Sequence, residues 1–160
     1  MNRTSEQMRE ALVHMATKIT INSVPITNLW LSRLGSSEEG DQLLEALCAS
    51  DITTVRYLNF GDNRSWWANQ SAVEILTQFI SRQTQLEELH LQKNNLCAAT
   101  ITQILTAVRT SECMNSIKKI QLEDGNWETP ESCEELAQVL SEAPRLEDLR
   151  ICGQRGPRKI

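Results

Sequence analysis

Thr84–Leu96 reads TQLEELHLQKNNL, and its spacing decides the fold. Leu86, Leu89 and Leu91 stand three and then two positions apart, Asn94 follows, and Leu96 closes the stretch. Leu89 and Leu91 alternate as in a strand, so both point to one side while Glu88, His90 and Gln92 point to the other. Leu86 enters the same interior from the preceding turn. Asn94 falls at the bend beyond the strand, where a side-chain amide can bond backbone groups that the turning chain leaves without partners.

The spacing recurs along the chain. Its first apolar position returns at Ile26, Val55, Leu86, Ile117 and Leu146, and its second at Leu29, Leu58, Leu89, Ile120 and Leu149. The third is Leu31, Phe60, Leu91, Leu122 and Ile151. From Ile26 to Leu146 the steps are 29, 31, 31 and 29 residues, the mark of an array of like units. Between the strands, apolar residues switch to helical spacing. Leu43, Leu44 and Leu47 lie in a helix predicted near Glu38–Ala49, and Val73, Leu76, Phe79 and Ile80 in one near Asn69–Arg82. Ile101, Ile104, Leu105 and Val108 fall near Ala98–Thr110. Cys133, Leu136, Val139 and Leu140 fall near Pro130–Ala143, where Pro130 suits a first turn.

Alternating strands and helices with like-spaced strands imply an α/β fold with a parallel sheet and helices along one side of it. The pattern L-x-x-L-x-L-x-x-N-x-L with a full helix per unit resembles leucine-rich repeats of the ribonuclease-inhibitor-like type. The resemblance covers residues 26–152 and implies a short horseshoe solenoid, with the sheet concave and the helices convex. It departs from that family at the bends: only Asn63 and Asn94 match, against Leu34, Gly125 and Gln154 elsewhere. The division expected is an amino-terminal cap over 1–25, four full repeats and one partial over 26–152, and a basic tail over 153–160. In the cap, residues 4–17 read as a helix with Met8, Leu12 and Met15 along one face, followed by a short strand at Lys18–Asn22.

Composition narrows the function classes. A chain of 160 residues with 40% hydrophobic and 23% charged residues fits one globular domain. A net charge of −5 argues against nucleic acid as a partner, and no apolar run nears the roughly 20 residues that span a bilayer. The opening MNRTSEQMRE has no apolar leader core, so the acceptor patterns at Asn2, Asn63 and Asn69 read as coincidence. Five cysteines without a C-x-x-C pair suit free thiols in a reducing, cytoplasmic setting, and Cys48, Cys97, Cys113 and Cys133 read as small core residues.

The resemblance implies a display surface made of the strand residues between the buried ones. These are Asn28, Trp30 and Ser32; Tyr57, Asn59 and Gly61; Glu88, His90 and Gln92; Lys119, Gln121 and Glu123; Asp148, Arg150 and Cys152. Trp30 and Tyr57 adjoin and are the residue types that anchor protein interfaces, unless the amino-terminal cap folds over them. Trp66 and Trp67 sit together in a long loop after the second strand. Either they meet a partner, or one packs beneath the loop while the other covers a helix end. Trp127, in the equivalent later loop, reads as local packing.

Catalytic signals are weak. His14 and His90 are the two histidines, and no nucleophile stands beside either at a predictable position. The cysteines lack zinc-ligand spacing and no phosphate-cradling glycine loop is present, so no cofactor or metal is expected. The function expected is a non-catalytic protein-protein interaction module, a structural or adaptor subunit of a larger assembly. Its last strand, Asp148–Cys152, awaits cover from a partner. The alternative is a regulator of enzyme activity. That would be a GTPase-activating protein using Arg33 or Arg64, or a ubiquitin-ligase substrate receptor, for which residues 1–25 are too short to hold the usual helical adaptor segment. The basic tail (Arg155, Arg158, Lys159) reads either as solubilising or as a dock for an acidic neighbour.

Overall fold

The structure, a computed structural model, describes residues 25–32, 51–68, 70–125, 127 and 129–151, with Gln7, Glu10, Gln42, 45–47 and Ala49 besides. Five three-residue strands, β1 (Asn28–Trp30), β2 (Tyr57–Asn59), β3 (Glu88–His90), β4 (Lys119–Gln121) and β5 (Asp148–Arg150), form one sheet in the order β1-β2-β3-β4-β5. Each pairs in parallel with the next, and Leu29, Leu58, Leu89, Ile120 and Leu149 stand level in a single row. Helices α1 (Gln70–Arg82), α2 (Ala98–Arg109) and α3 (Pro130–Glu142) follow β2, β3 and β4. The bounds predicted for these three hold to within one residue. The strands are three residues long, against the five expected, although backbone bonds between neighbouring units run on past them, as from Asp62 N to Gln92 O at 3.0 Å.

All three apolar series face the interior, with Ile26, Leu146, Leu149 and Ile151 at the two ends partly buried. Val55, Leu86 and Ile117 are fully buried, as are Leu58, Leu89 and Ile120, and Phe60, Leu91 and Leu122. They form one core with Leu76, Ile80, Ile104, Leu105 and Val108 from the helices, so the helices cover the leucine side of the sheet. Of the first helix expected, Gln42, 45–47 and Ala49 are helical and Leu47 is fully buried; Leu43 and Leu44 fall outside the described residues. The cap over 1–25 and the tail over 153–160 also lie outside them, apart from Gln7, Glu10 and Pro25.

Buried polar side chains tie neighbouring units together at both ends of the sheet. At the bend, buried Asn94 donates through Nδ2 to Leu91 O and Phe60 O, both at 2.9 Å, and its Oδ1 accepts from Asn63 N at 2.6 Å. Asn63 repeats the pattern one unit earlier, donating to Leu31 O at 2.7 Å and Phe60 O at 3.0 Å. In the next unit Gly125 stands where asparagine would, and its N–H folds back to Leu122 O. A side chain there would press on Ile101, whose Cδ1 lies 2.7 Å from the position of a Cβ. Asp62, Lys93 and Asp124 recur just before these positions with φ of 60, 61 and 66°, so the same left-handed turn is made three times. At the other end, buried Gln83 accepts from Val55 N and donates to Ile52 O at 2.8 Å.

Two helical expectations need correcting. Cys133 and Leu140 belong to the predicted buried stripe of α3, yet Cys133 is exposed and Leu140 is 51% exposed. Their counterparts in α2, Ile101 and Val108, are fully buried because α3 packs over them. No helix does this for α3 among the described residues. Likewise Cys97 is exposed and only Cys113 of the described cysteines is buried, while Cys48 is outside the described residues.

Candidate protein-binding face

The side of the sheet opposite the helices is built by alternation. Because Leu29, Leu58, Leu89 and Ile120 turn inward, the residues on either side of each turn outward in two rows. The first row is Asn28, Tyr57, Glu88, Lys119 and Asp148; the second is Trp30, Asn59, His90, Gln121 and Arg150. Two of the three expected rows thus stand in register, although their members differ in how far they reach solvent.

Trp30 is the prominent member. It is 71% exposed on the first strand, whereas Tyr57, Asn59 and Gln92 are half-buried. Asn59 turns its Oδ1 to Gly61 N at 2.9 Å. Gln92 lies over Gly61, so that a Cβ on the glycine would sit 2.6 Å from Gln92 Nε2 and the amide would have to turn aside. Next along the row, His90 Nε2 donates to Glu88 Oε2 at 2.8 Å and Nδ1 contacts Gln121 Oε1. Gln121 is consequently buried, with His90 and Arg150 as its neighbours in register. Lys119 Nζ lies 3.5 Å from Asp148 Oδ2, and Arg150 Nε donates to Asp148 Oδ1 at 3.3 Å. The Arg150 guanidinium, seconded by Lys119, holds the Asp148 carboxyl below the usual carboxylate range.

Trp66 is not part of this face. It is fully buried, its ring tilted against Phe60 with centroids 5.6 Å apart, because the loop turns back onto the core. Trp67 is half-buried, and its indole N–H, like that of Trp127, is buried without a hydrogen-bond partner among the described residues. Of the two readings open for the tryptophan pair, packing beneath the loop describes Trp66.

Sequence reasoning missed a charged rail immediately beside the face. Arg56, Glu87 and Lys118 each precede a strand. Arg56 Nε donates to Glu87 Oε1 at 2.9 Å, and Lys118 Nζ reaches Glu87 Oε2 at 3.1 Å. Hydrogen bonds from Arg56 and then Lys118 draw the Glu87 carboxyl below its ordinary range, and Glu87 in turn raises Arg56. Its signal in the sequence is opposite charges one 31-residue period apart, outside the apolar pattern.

Both ring nitrogens of His90 are engaged by Glu88 and Gln121, and Cys152 is outside the described residues. Arg64, considered for GTPase activation, donates to Lys93 O at 3.3 Å, and Arg33 is outside the described residues. Among the described residues no three His, Cys, Asp or Glu side chains are grouped as metal ligands, and no helix is long and apolar enough to cross a membrane. A shallow groove between α1 and α2 is lined by Thr77, Ser81, Thr102 and Thr110 among others. The hydroxyls of these four are spent on carbonyls of their own helices.

No protein-family profile matches the chain, and no curated protein does. Sixteen solved chains match. One is titled Leiomodin-1 Actin-Binding Site 2, with 17% identity and a TM-score of 0.60 over 88% of this chain and 79% of that one. Another is the tropomodulin C-terminal domain of Caenorhabditis elegans, with 15% identity and a TM-score of 0.61 over 90% and 84%. These likenesses correct the family suggested by the leucine spacing: the neighbours are tropomodulin and leiomodin domains, not ribonuclease-inhibitor-like leucine-rich repeat proteins. The physical reason is that three-then-two spacing specifies which side chains are buried in a strand and its preceding turn. Any stack of parallel strand–helix units meets that demand. The chain therefore shares the mixed α/β, parallel-sheet fold of the leiomodin and tropomodulin domains.

Proposed function

We propose that this chain is a non-catalytic protein-binding domain, a fixed subunit of a larger assembly, that receives its partner on the outer face of the sheet. In this reading the stacked units form a short solenoid with that face on its inner curve. The observation that carries the proposal is Trp30, a large aromatic left 71% exposed at the head of an ordered polar row. Holding an indole in water forfeits on the order of 1.5–3 kcal/mol of burial, and aromatic residues in that state are the usual anchors of an interface. Asn59, Tyr57, Glu88, His90, Gln92, Lys119, Asp148 and Arg150 form the polar surround, with Gln121 beneath. Trp67 extends the surface at the loop, and Trp66 supports it from below.

Fold alone does not transfer a partner. Actin enters as the first protein to assay because one of the structural neighbours is named for an actin-binding site. The test is capture by the tagged chain, from purified actin and from native extract, compared with Trp30→Ala. The variant should fold as the parent does and lose at least about tenfold in capture, the range for an interface anchor. Equal capture by the variant, or no stoichiometric partner for the parent, overturns the reading.

A further inference from the structure

The edge of β5 and the flank of α3 form the open end of the stack. In the preceding unit the corresponding residues, Leu105, Val108, Ile117, Ile120 and Leu122, are fully buried by the unit that follows. At the open end, Ala137 is exposed, Leu140 is 51% exposed, and Leu146, Leu149 and Ile151 are only partly covered. The strand's backbone is open too. Asp148 N donates to Lys118 O at 3.0 Å and Leu122 N donates to Arg150 O at 2.7 Å, so Asp148 and Arg150 turn their peptide groups to β4. Alternation directs the N–H and C=O of Leu149 away from the sheet, and no strand follows among the described residues.

We infer that this edge is a two-fold interface with a second copy of the chain, β5 pairing antiparallel with the partner's β5 about Leu149. Three features of the strand agree with that occupant. Leu149 is the residue whose peptide groups point outward, so two copies exchange both hydrogen bonds at the axis. Antiparallel pairing about Leu149 sets Asp148 opposite Arg150 of the second copy, and Arg150 opposite Asp148, so opposite charges face each other twice. A two-fold perpendicular to the sheet keeps the helices of both copies on the same side. It lays the α3 helices alongside each other, where Ala137 permits close approach and Leu140, Leu146 and Leu149 lose contact with water. The result is a continuous ten-stranded sheet from two five-stranded ones. It closes on itself and leaves the outer face, with Trp30, open. A head-to-tail stack, β5 against β1 of the next copy, would set Asp148 beside Asn28 and Arg150 beside Trp30; it offers no charge pairing and would not close.

The test exploits the two-fold. Asp148→Arg gives a strand with two arginines and Arg150→Asp one with two aspartates. Each variant alone faces like charge at both pairs, and an equimolar mixture restores opposite charge at both. Sedimentation velocity and light scattering on the full chain should show a dimer for the parent. Each single variant should bind itself about thirtyfold more weakly, from two pairs each changing sign. The mixture should regain the parent's dimer, and circular dichroism of each variant should match the parent. A monomeric parent at high micromolar concentration, a parent whose mass keeps growing past two copies, or a mixture no more dimeric than its components each overturns the inference.

Discussion

Asn94→Ala is the sharpest test of how the units are joined. Asn94 is 1% exposed and ties together three backbone groups: it donates to Leu91 O and Phe60 O and accepts from Asn63 N. Phe60 O keeps a second donor in Asn63 Nδ2 at 3.0 Å, so truncation deprives two groups, Leu91 O and the Asn63 N–H, of this partner. A buried polar group left in that state costs about 1–3 kcal/mol, which places the loss at about 2–6 kcal/mol. The expected fall is near 3 kcal/mol, since a water can enter the space vacated by the amide. Urea unfolding followed by circular dichroism should therefore show a midpoint well below the parent's with an unchanged slope. Asn63→Ala should behave alike, and the double variant should lose more than the two singles combined, because each single leaves Phe60 O one amide donor and the double leaves it none. A loss below about 1 kcal/mol for Asn94→Ala, or strict additivity in the double variant, would refute the claim that the asparagines act as one ladder.

Two further expectations follow from ionisation and accessibility. Cys97 is exposed and its thiol is drawn down by a hydrogen bond from Thr100, whereas burial pushes the Cys113 thiol up. Iodoacetamide on the native protein, read by peptide mass spectrometry, should label Cys97 well before Cys113; the reverse order would contradict the packing. Glu87 has a folded pKa below its unfolded value, so it binds fewer protons when folded. Its contribution is complete above the ordinary carboxylate range, near 4.3, and is lost as pH falls through the lower folded value. Urea midpoints taken across the acid range should fall less steeply for Glu87→Gln than for the parent, and identical pH profiles would show that the Arg56–Glu87–Lys118 rail carries no stability.

Leucine spacing makes the register legible in the sequence. Leu29, Leu58, Leu89, Ile120 and Leu149 stand level because a strand buried on one side admits a single phase, and a slip of one residue would turn every leucine outward. The rows flanking them followed with no further information. What spacing left unread depends on neighbours distant in sequence. Trp66 looks like a loop residue until the loop is seen to fold onto Phe60. Cys133 and Leu140 carry a core pattern, and whether that pattern is covered depends on the next unit, not on α3. Gln83 is polar at a helix end in the sequence and fully buried in the fold, since its partners, Ile52 O and Val55 N, lie about one unit earlier. Spacing does not separate one such fold from another for a related reason: burial patterns record the packing problem a chain solves, and more than one fold poses the same one.

The order β1-β2-β3-β4-β5 means that each strand touches only the strands before and after it in the chain. Damage then stays local. A lesion in β3 weakens two joints and is invisible to β1 and β5 except through them, so opening begins at the extremities and works inward, as a zip does. By the same token, lengthening the chain by a whole unit between two joints asks no other part of it to move.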